Sequence, residues 1–249
     1  MKISEGGVYI APYMDEKTAR ALGIIYSDGH VIRTALRLTG SLRNLQFYRE
    51  VVMPTMEDAF NMFQEDVYEY PHTSTFTGKQ YKFLRLVYGS KALSTYLVNY
   101  LGFRRSEEER RNKGLSDKMK MKEFKKYVPD FIKFYLASAS GISLSDKSKS
   151  IVINIPDVSR SMLEDIGGFL EDAVERPSLW LHHHLTADTY VLSISTVPAL
   201  ELFFGGFLNE NPRIKKGIES YLEDYGIGRR AFKHLYQLYG DRIVQYRRI

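Results

Sequence analysis

The sequence predicts an α+β chain made of two halves with the same order of elements, αββαββα, followed by a helical extension. Three observations carry this. Apolar residues recur at helical and then at strand spacing, in the same order, on both sides of a polar basic stretch. That stretch, 104–121, has little apolar periodicity and divides the 249 residues into parts of similar length. A composition of 44% apolar and 26% charged residues with only 8 Pro suits a chain that buries a core, and it excludes disordered and collagen-like classes.

The first half, 1–103, opens with a helix over Asp15–Tyr26, apolar or small at Ala19, Leu22, Gly23, Ile25 and Tyr26 and stopped by Ser27-Asp28-Gly29. From His30 to Thr39 the pattern alternates, with Leu36 and Leu38 on one face and Ala35, Arg37 and Thr39 on the other. A helical run follows from Leu42 to Phe63, which Pro54 should kink or divide. Val67–Phe76 and Tyr81–Tyr88 read as a hairpin across Thr77-Gly78-Lys79, and Lys91–Tyr100 as a short helix.

The second half, 122–208, repeats the order. A helix over Lys122–Ala139 halts at Ser140-Gly141. Strands at Ile142–Leu144 and Ser150–Pro156, a helix over Ser159–Val174, a hairpin of Ser178–Leu185 with Thr189–Ser195, and a helix over Val197–Leu208 complete it. The extension, 209–249, has no counterpart in the first half and reads as helices over Pro212–Tyr225 and Gly228–Tyr239. Of the 18 tyrosines, Tyr81, Tyr88, Tyr96, Tyr100, Tyr221, Tyr225, Tyr236 and Tyr239 mostly fall at core spacing.

Charge narrows the partner. The net charge is +5, and between Arg104 and Lys126 ten Lys or Arg stand against five Asp or Glu, so this one segment holds the whole excess. A polyanion contacted there is the expectation, with Lys118 and Lys120 among its contacts. The absence of Cys excludes disulfides, thiolate zinc sites and cysteine nucleophiles. The N-terminal residues lack the apolar core of a secretory signal, and no apolar run is long enough to span a membrane, so an intracellular protein is expected. Nucleotide-binding, zincin and hydrolase-elbow motifs do not occur.

The end of each half's first helix carries a motif. Ala21-Leu22-Gly23-Ile24-Ile25-Tyr26-Ser27-Asp28-Gly29 resembles the nine-residue signature of the LAGLIDADG homing endonucleases, with Asp28 at its acidic position. Lys133-Phe134-Tyr135-Leu136-Ala137-Ser138-Ala139-Ser140-Gly141 stands at the equivalent place as a degenerate copy. Two motifs on one chain resemble the monomeric members of that family, archaeal ones included. The resemblance implies a homing-endonuclease-like pseudo-dimer about a pseudo-twofold axis, double-stranded DNA as partner, and acids from two crossed helices sharing Mg2+ over the scissile phosphates. Asp28 would be the catalytic acid and metal ligand, but its partner position is Ser140, a neutral hydroxyl where a hard anionic ligand is needed.

Small residues at Gly23, Ser27, Ala137 and Ala139 are where two helix backbones would meet. An acid at a helix C-terminus opposes the macrodipole, so Asp28 calls for a compensating cation. Candidate DNA contacts are Arg33, Arg37 and Thr39 on the first hairpin, Lys82 or Arg85 on the second, whose faces are opposite, and Lys147 and Lys149 in the second-half turn. His182 and His184 share a strand face with Trp180, expected to be the open one, while Leu179, Leu181, His183 and Leu185 face the helices. Two such histidines with Asp188 also offer a thinner zinc reading. The expected function is sequence-specific duplex DNA binding with cleavage weakened or lost. The alternatives are an active metal-dependent endonuclease or nickase that keeps Asp28, and an RNA-binding protein that assists splicing.

Overall fold

The structure is a computed structural model and describes residues 7, 8, 10, 14–73, 80–103, 111, 114, 115, 117, 119–185 and 188–247. Asp15 accepts a hydrogen bond from the Thr18 amide and starts α1, Glu16–Asp28, which runs two residues further than the apolar pattern suggests. β1 (Gly29–Ile32) and β2 (Ala35–Ser41) form the first hairpin. The helical run behind it is a 3-10 turn at Leu42–Asn44, one α turn at Leu45–Phe47, a π turn at Tyr48–Val52 and α2 at Met53–Phe60. The run changes from π to α geometry at Met53, one residue before Pro54, where the sequence expects a kink or division. Pro54 sits in the first turn of α2, where a missing N–H costs least. The run ends at Asn61, in the left-handed region at φ 53°, so Phe63 falls outside the helix and is exposed rather than in the core.

β3 (Tyr68–Thr73) pairs with β4 (Gln80–Gly89), and the hairpin tip expected at Thr77-Gly78-Lys79 lies outside the described residues. α3 (Lys91–Thr95) continues as a π turn, Tyr96–Tyr100, that stacks Tyr96 on Tyr100 with ring centroids 5.3 Å apart. In the second half the long helix is two, α4 (Lys122–Lys125) and α5 (Val128–Ala139), because Pro129 starts a new helix at its first turn. Then come β5 (Gly141–Ser145), β6 (Ser150–Asp157), α6 (Arg160–Ala173), β7 (Leu179–His184), β8 (Thr189–Ile194) and α7 (Thr196–Phe204). The extension is α8 (Pro212–Tyr225), α9 (Arg229–Tyr239) and a 3-10 segment, Gly240–Tyr246.

The two sheets have the same antiparallel order, β1-β2-β4-β3 and β5-β6-β8-β7. One face of each is buried under helices, through Leu36, Leu38, Leu84 and Leu86 in the first and Ile151, Ile153, Ile155 and Ile194 in the second. These side chains belong to one continuous apolar core that spans both halves. Tyr81, Tyr100 and Tyr236, which share the core spacing of the buried Tyr88, are exposed. α9 is fastened to α7 by a buried pair, His234 Nε2 to Glu201 Oε1 at 2.5 Å, with Glu201 Oε2 also accepting from the Glu175 amide at 2.8 Å. No helix among the described residues is long and apolar enough to cross a membrane.

Candidate nucleic-acid interface

The two motif helices, α1 and α5, pack directly against each other. The closest approach is at Gly23, where an added Cβ would lie 2.4 Å from Phe131 O and 2.7 Å from Tyr135 N. Only a residue without a side chain lets the backbones come that near. Tyr135, at the equivalent position of the second motif, does not obstruct the crossing, because its hydroxyl leaves the seam to donate to Asp157 Oδ2 at 3.1 Å. Arg20 joins the helices again, its Nε donating to Asp130 Oδ1 at 3.1 Å, and Tyr26 stands edge-on to Phe131 with centroids 5.7 Å apart.

At the C-terminal ends of these helices lies a cavity of about 710 Å3, lined by Asp28, Ser138, Ser140, His182, His184 and Arg213 among others. Asp28 is the last residue of α1 and is partly buried. Ser27 Oγ donates to its Oδ1 at 2.9 Å and Tyr48 OH to its Oδ2 at 2.7 Å. Burial pushes the carboxyl up to about 6, opposed by the Ser138, Tyr48 and Ser27 hydroxyls, which favour the charged form. Ser138 Oγ makes no regular hydrogen bond among the described residues, so Ser27 and Tyr48 are the hydroxyls that hold Asp28. The compensating cation expected beside Asp28 is therefore replaced by hydroxyls, and no cation pairs with it among the described residues. Tyr48 reaches this position from the π turn because residue 40 is Gly: a Cβ there would meet the Tyr48 ring and hydroxyl at 2.6 Å.

The other helix ends differently. Ser140 caps α5 through its amide to Leu136 O at 2.9 Å, and its buried Oγ has no partner among the described residues. Its carbonyl faces Arg213 Nη2 at 3.5 Å. An ion of the magnesium class takes anionic oxygen ligands in octahedral array. Here one helix offers a single carboxylate with both oxygens engaged, and the other a neutral hydroxyl beside a guanidinium. This donor set does not fit such an ion, and among the described residues no three His, Asp or Glu gather to hold a metal, at His182, His184 and Asp188 or elsewhere.

The open faces of the sheets border the cavity. In the first sheet Arg37, Thr39 and Ser41 lie opposite Val87, Arg85 and Phe83 on one face, with Tyr68 and Tyr70 beyond them. The Arg85 guanidinium sits 3.5 Å from the Tyr70 ring centroid. Lys82 takes the opposite face and pairs with Glu69 at 2.9 Å, so of the two alternatives Arg85 is the one on the open side. Arg33 is exposed in the β1–β2 turn, and Lys147 and Lys149 in the β5–β6 turn.

In the second sheet Trp180, His182 and His184 lie opposite Ser193, Val191 and Thr189. His183 takes the other face, 4.7 Å from the Tyr190 ring and hydrogen-bonded to Asp188, as the alternation requires. Leu185, expected against the helices, is 83% exposed because the strand ends at His184. A polar ladder of Ser193 Oγ to Asn154 Oδ1 and Asn154 Nδ2 to Ser143 Oγ crosses this face.

The basic segment is not laid along these faces where it is described. Lys120 pairs with Asp165 of α6, on the helical side, at 2.8 Å, and Arg111 with Asp188 at 2.5 Å. Lys118 lies outside the described residues. A repeat-based reading misses Tyr48, which depends on a π turn, and Arg213, which belongs to the extension that has no first-half counterpart.

No family model matches the chain, and no curated protein sequence matches it. Solved structures do. A structure of the homing endonuclease I-WcaI bound to its DNA recognition sequence is 11% identical and superposes with a TM-score of 0.56 over 83% of this chain and 87% of that one. One of I-DmoI in complex with DNA and Mn gives 19% identity and a TM-score of 0.40 over 72% and 89%. One of the LAGLIDADG homing endonuclease I-GzeII in complex with a DNA target gives 10% and 0.40 over 93% and 99%. With two like-ordered halves and motif helices crossed at Gly23, the chain has the α+β fold of the LAGLIDADG homing endonucleases.

Proposed function

We propose that the chain binds double-stranded DNA sequence-specifically along the open faces of its two sheets, with phosphodiester cleavage weakened or lost. The observation that carries this reading is the unlike pair of motif-helix ends. Asp28 is held by two hydroxyls with its pKa raised to about 6, and Ser140 beside Arg213 stands where a second acid would be. Two-metal hydrolysis clamps both the attacking and the leaving oxygen of a phosphate, and these helix ends supply one carboxylate for that work. The open faces, in contrast, offer what groove recognition uses: Arg37 and Arg85 for guanine edges or phosphates, and His182, His184, Asn154 and Ser193 for shorter polar contacts.

Trp180 is the sole tryptophan, 43% exposed on the open face, and provides the signal for a test. Duplexes selected from random DNA are titrated against its fluorescence, with Mg2+ and with EDTA, and the DNA is then checked for strand breaks. The expected result is fluorescence change and tight binding in both conditions, affinity that falls steeply with salt, and intact duplex. Efficient Mg2+-dependent double-strand cleavage of a selected site would overturn the assignment of lost cleavage. Absence of binding to any duplex would overturn the whole reading.

A further inference from the structure

The guanidinium in the cavity between the motif-helix ends is built in from outside both repeats. Asn211, fully buried, donates from Nδ2 to Ala137 O at 2.7 Å, and its Oδ1 accepts from the Arg213 and Ile214 amides. This clamps the start of α8 onto the last turn of α5, where unpaired carbonyls and the macrodipole favour a cation. Arg213 delivers it. A guanidinium has five N–H donors, and of these one Nη2–H faces Ser140 O at 3.5 Å, while the buried Nε has no partner among the described residues.

Among the described residues no carboxylate forms an ion pair with this group. Asp28 lines the same cavity, but its hydrogen bonds run to Ser27 and Tyr48 and none joins it to Arg213. The charge that does bear on Arg213 is another cation, Arg43, exposed on the 3-10 turn whose neighbours Ser41 and Asn44 line the cavity. Burial and that like charge both push the Arg213 pKa down. Two cations from distant parts of the chain, the half-buried one with a buried Nε that has no partner among the described residues, make a site short of one anion. Its donor geometry suits a tetrahedral oxyanion taken by two N–H groups at once.

We propose that Arg213 and Arg43 form a phosphate-binding site at the centre of the groove, which holds one phosphodiester without a divalent metal. The source of that phosphate, a duplex backbone, rests on the function proposed above. Inorganic phosphate shares the chemistry and tests the site by itself.

The full chain and two variants, Arg213→Gln and Arg43→Gln, are studied in EDTA. Arg43 is exposed, so its variant keeps the test valid should Arg213→Gln weaken the fold. The first arm is calorimetric titration with inorganic phosphate, and the second is the salt dependence of duplex affinity. The expected result is phosphate binding by the parent chain that is roughly tenfold or more weaker in each variant, since a charge-assisted hydrogen bond is lost. The duplex slope of log K against log salt should fall by about 0.9 for each contact removed. Phosphate affinity and slope unchanged in both variants would overturn the site while leaving duplex binding intact. Phosphate binding that the variants lose, with no duplex bound by the parent, would leave the site standing and overturn the DNA reading instead.

Discussion

Alanine at Gly23 and alanine at Gly168 are the same substitution in the middle of a helix, and the packing gives them opposite signs. Intrinsic propensity favours alanine over glycine by about 1 kcal/mol at each. At Gly168, on α6, an added Cβ meets nothing within 4 Å, so the propensity gain stands alone. At Gly23 the Cβ would lie 2.4 Å from Phe131 O, 2.7 Å from Tyr135 N and 3.1 Å from Phe134 Cβ. Two of these atoms are backbone and cannot turn aside, so α1 and α5 must part by most of an ångström. Overpacking of this kind costs about 1–3 kcal/mol, and contact with backbone places it at the upper end. Subtracting the propensity gain leaves a net loss of about 2 kcal/mol. Thermal unfolding followed by circular dichroism should show Gly23→Ala melting about 4–8 °C below the parent and Gly168→Ala about 2–4 °C above it. A Gly23→Ala protein more stable than the parent would refute the close crossing of the motif helices.

Asp28 should make stability depend on pH in a particular direction. Its folded pKa of about 6 exceeds the ordinary 3.8, so the folded chain binds more protons there between those values, and stability falls as pH rises from about 4 to 6. Asp28→Asn should remove that fall in denaturant titrations across the window, and a fall of the same size in the variant would place its cause elsewhere. Tyr48→Phe deletes a hydrogen bond that favours the charged carboxylate, so the Asp28 carboxyl should titrate at higher pH by carbon-detected NMR, and an unchanged or lower pKa would contradict the contact. His234→Ala leaves the Glu201 carboxylate buried without its partner, and should cost about 3–5 kcal/mol in urea unfolding and expose α9 to limited proteolysis; a loss under 1 kcal/mol would show that the pair does not hold the extension.

Much of the scaffold was legible because its signals are local. Leu36 and Leu38 alternate with Arg37 and Thr39, and two-residue periodicity alone assigns the buried and open faces of β2. The same rule separates His183 from His182 and His184. The mismatch of Asp28 and Ser140 follows from aligning two nine-residue stretches. What escaped depends on contacts between distant segments. Nothing near Tyr48 in the chain shows that it will reach Asp28, since that needs a π turn before Pro54 and a missing side chain at residue 40. Arg213 looks like a surface charge until Asn211 is seen fastened to Ala137. Lys120 reads as a free cation because Asp165, which pairs with it, belongs to another helix.

The crossing of α1 and α5 also sets a timetable for synthesis. Arg20 and Asp130 are separated by 110 residues, and Gly23 meets its contacts on α5 at a similar distance along the chain. At ribosomal rates of 5–20 residues per second, the first half waits about 5–20 s for the helix that covers it. Throughout that interval the notch at Gly23 and the apolar residues around it lie open to whatever else is nearby, including the same helix on a neighbouring nascent chain. A second copy of α1 carries its own Gly23, so the backbones of two nascent first halves can approach closely, and polysomes crowded with this message would favour premature pairing of first halves. Slow decoding of the basic segment would lengthen the exposure, and fast decoding would shorten it.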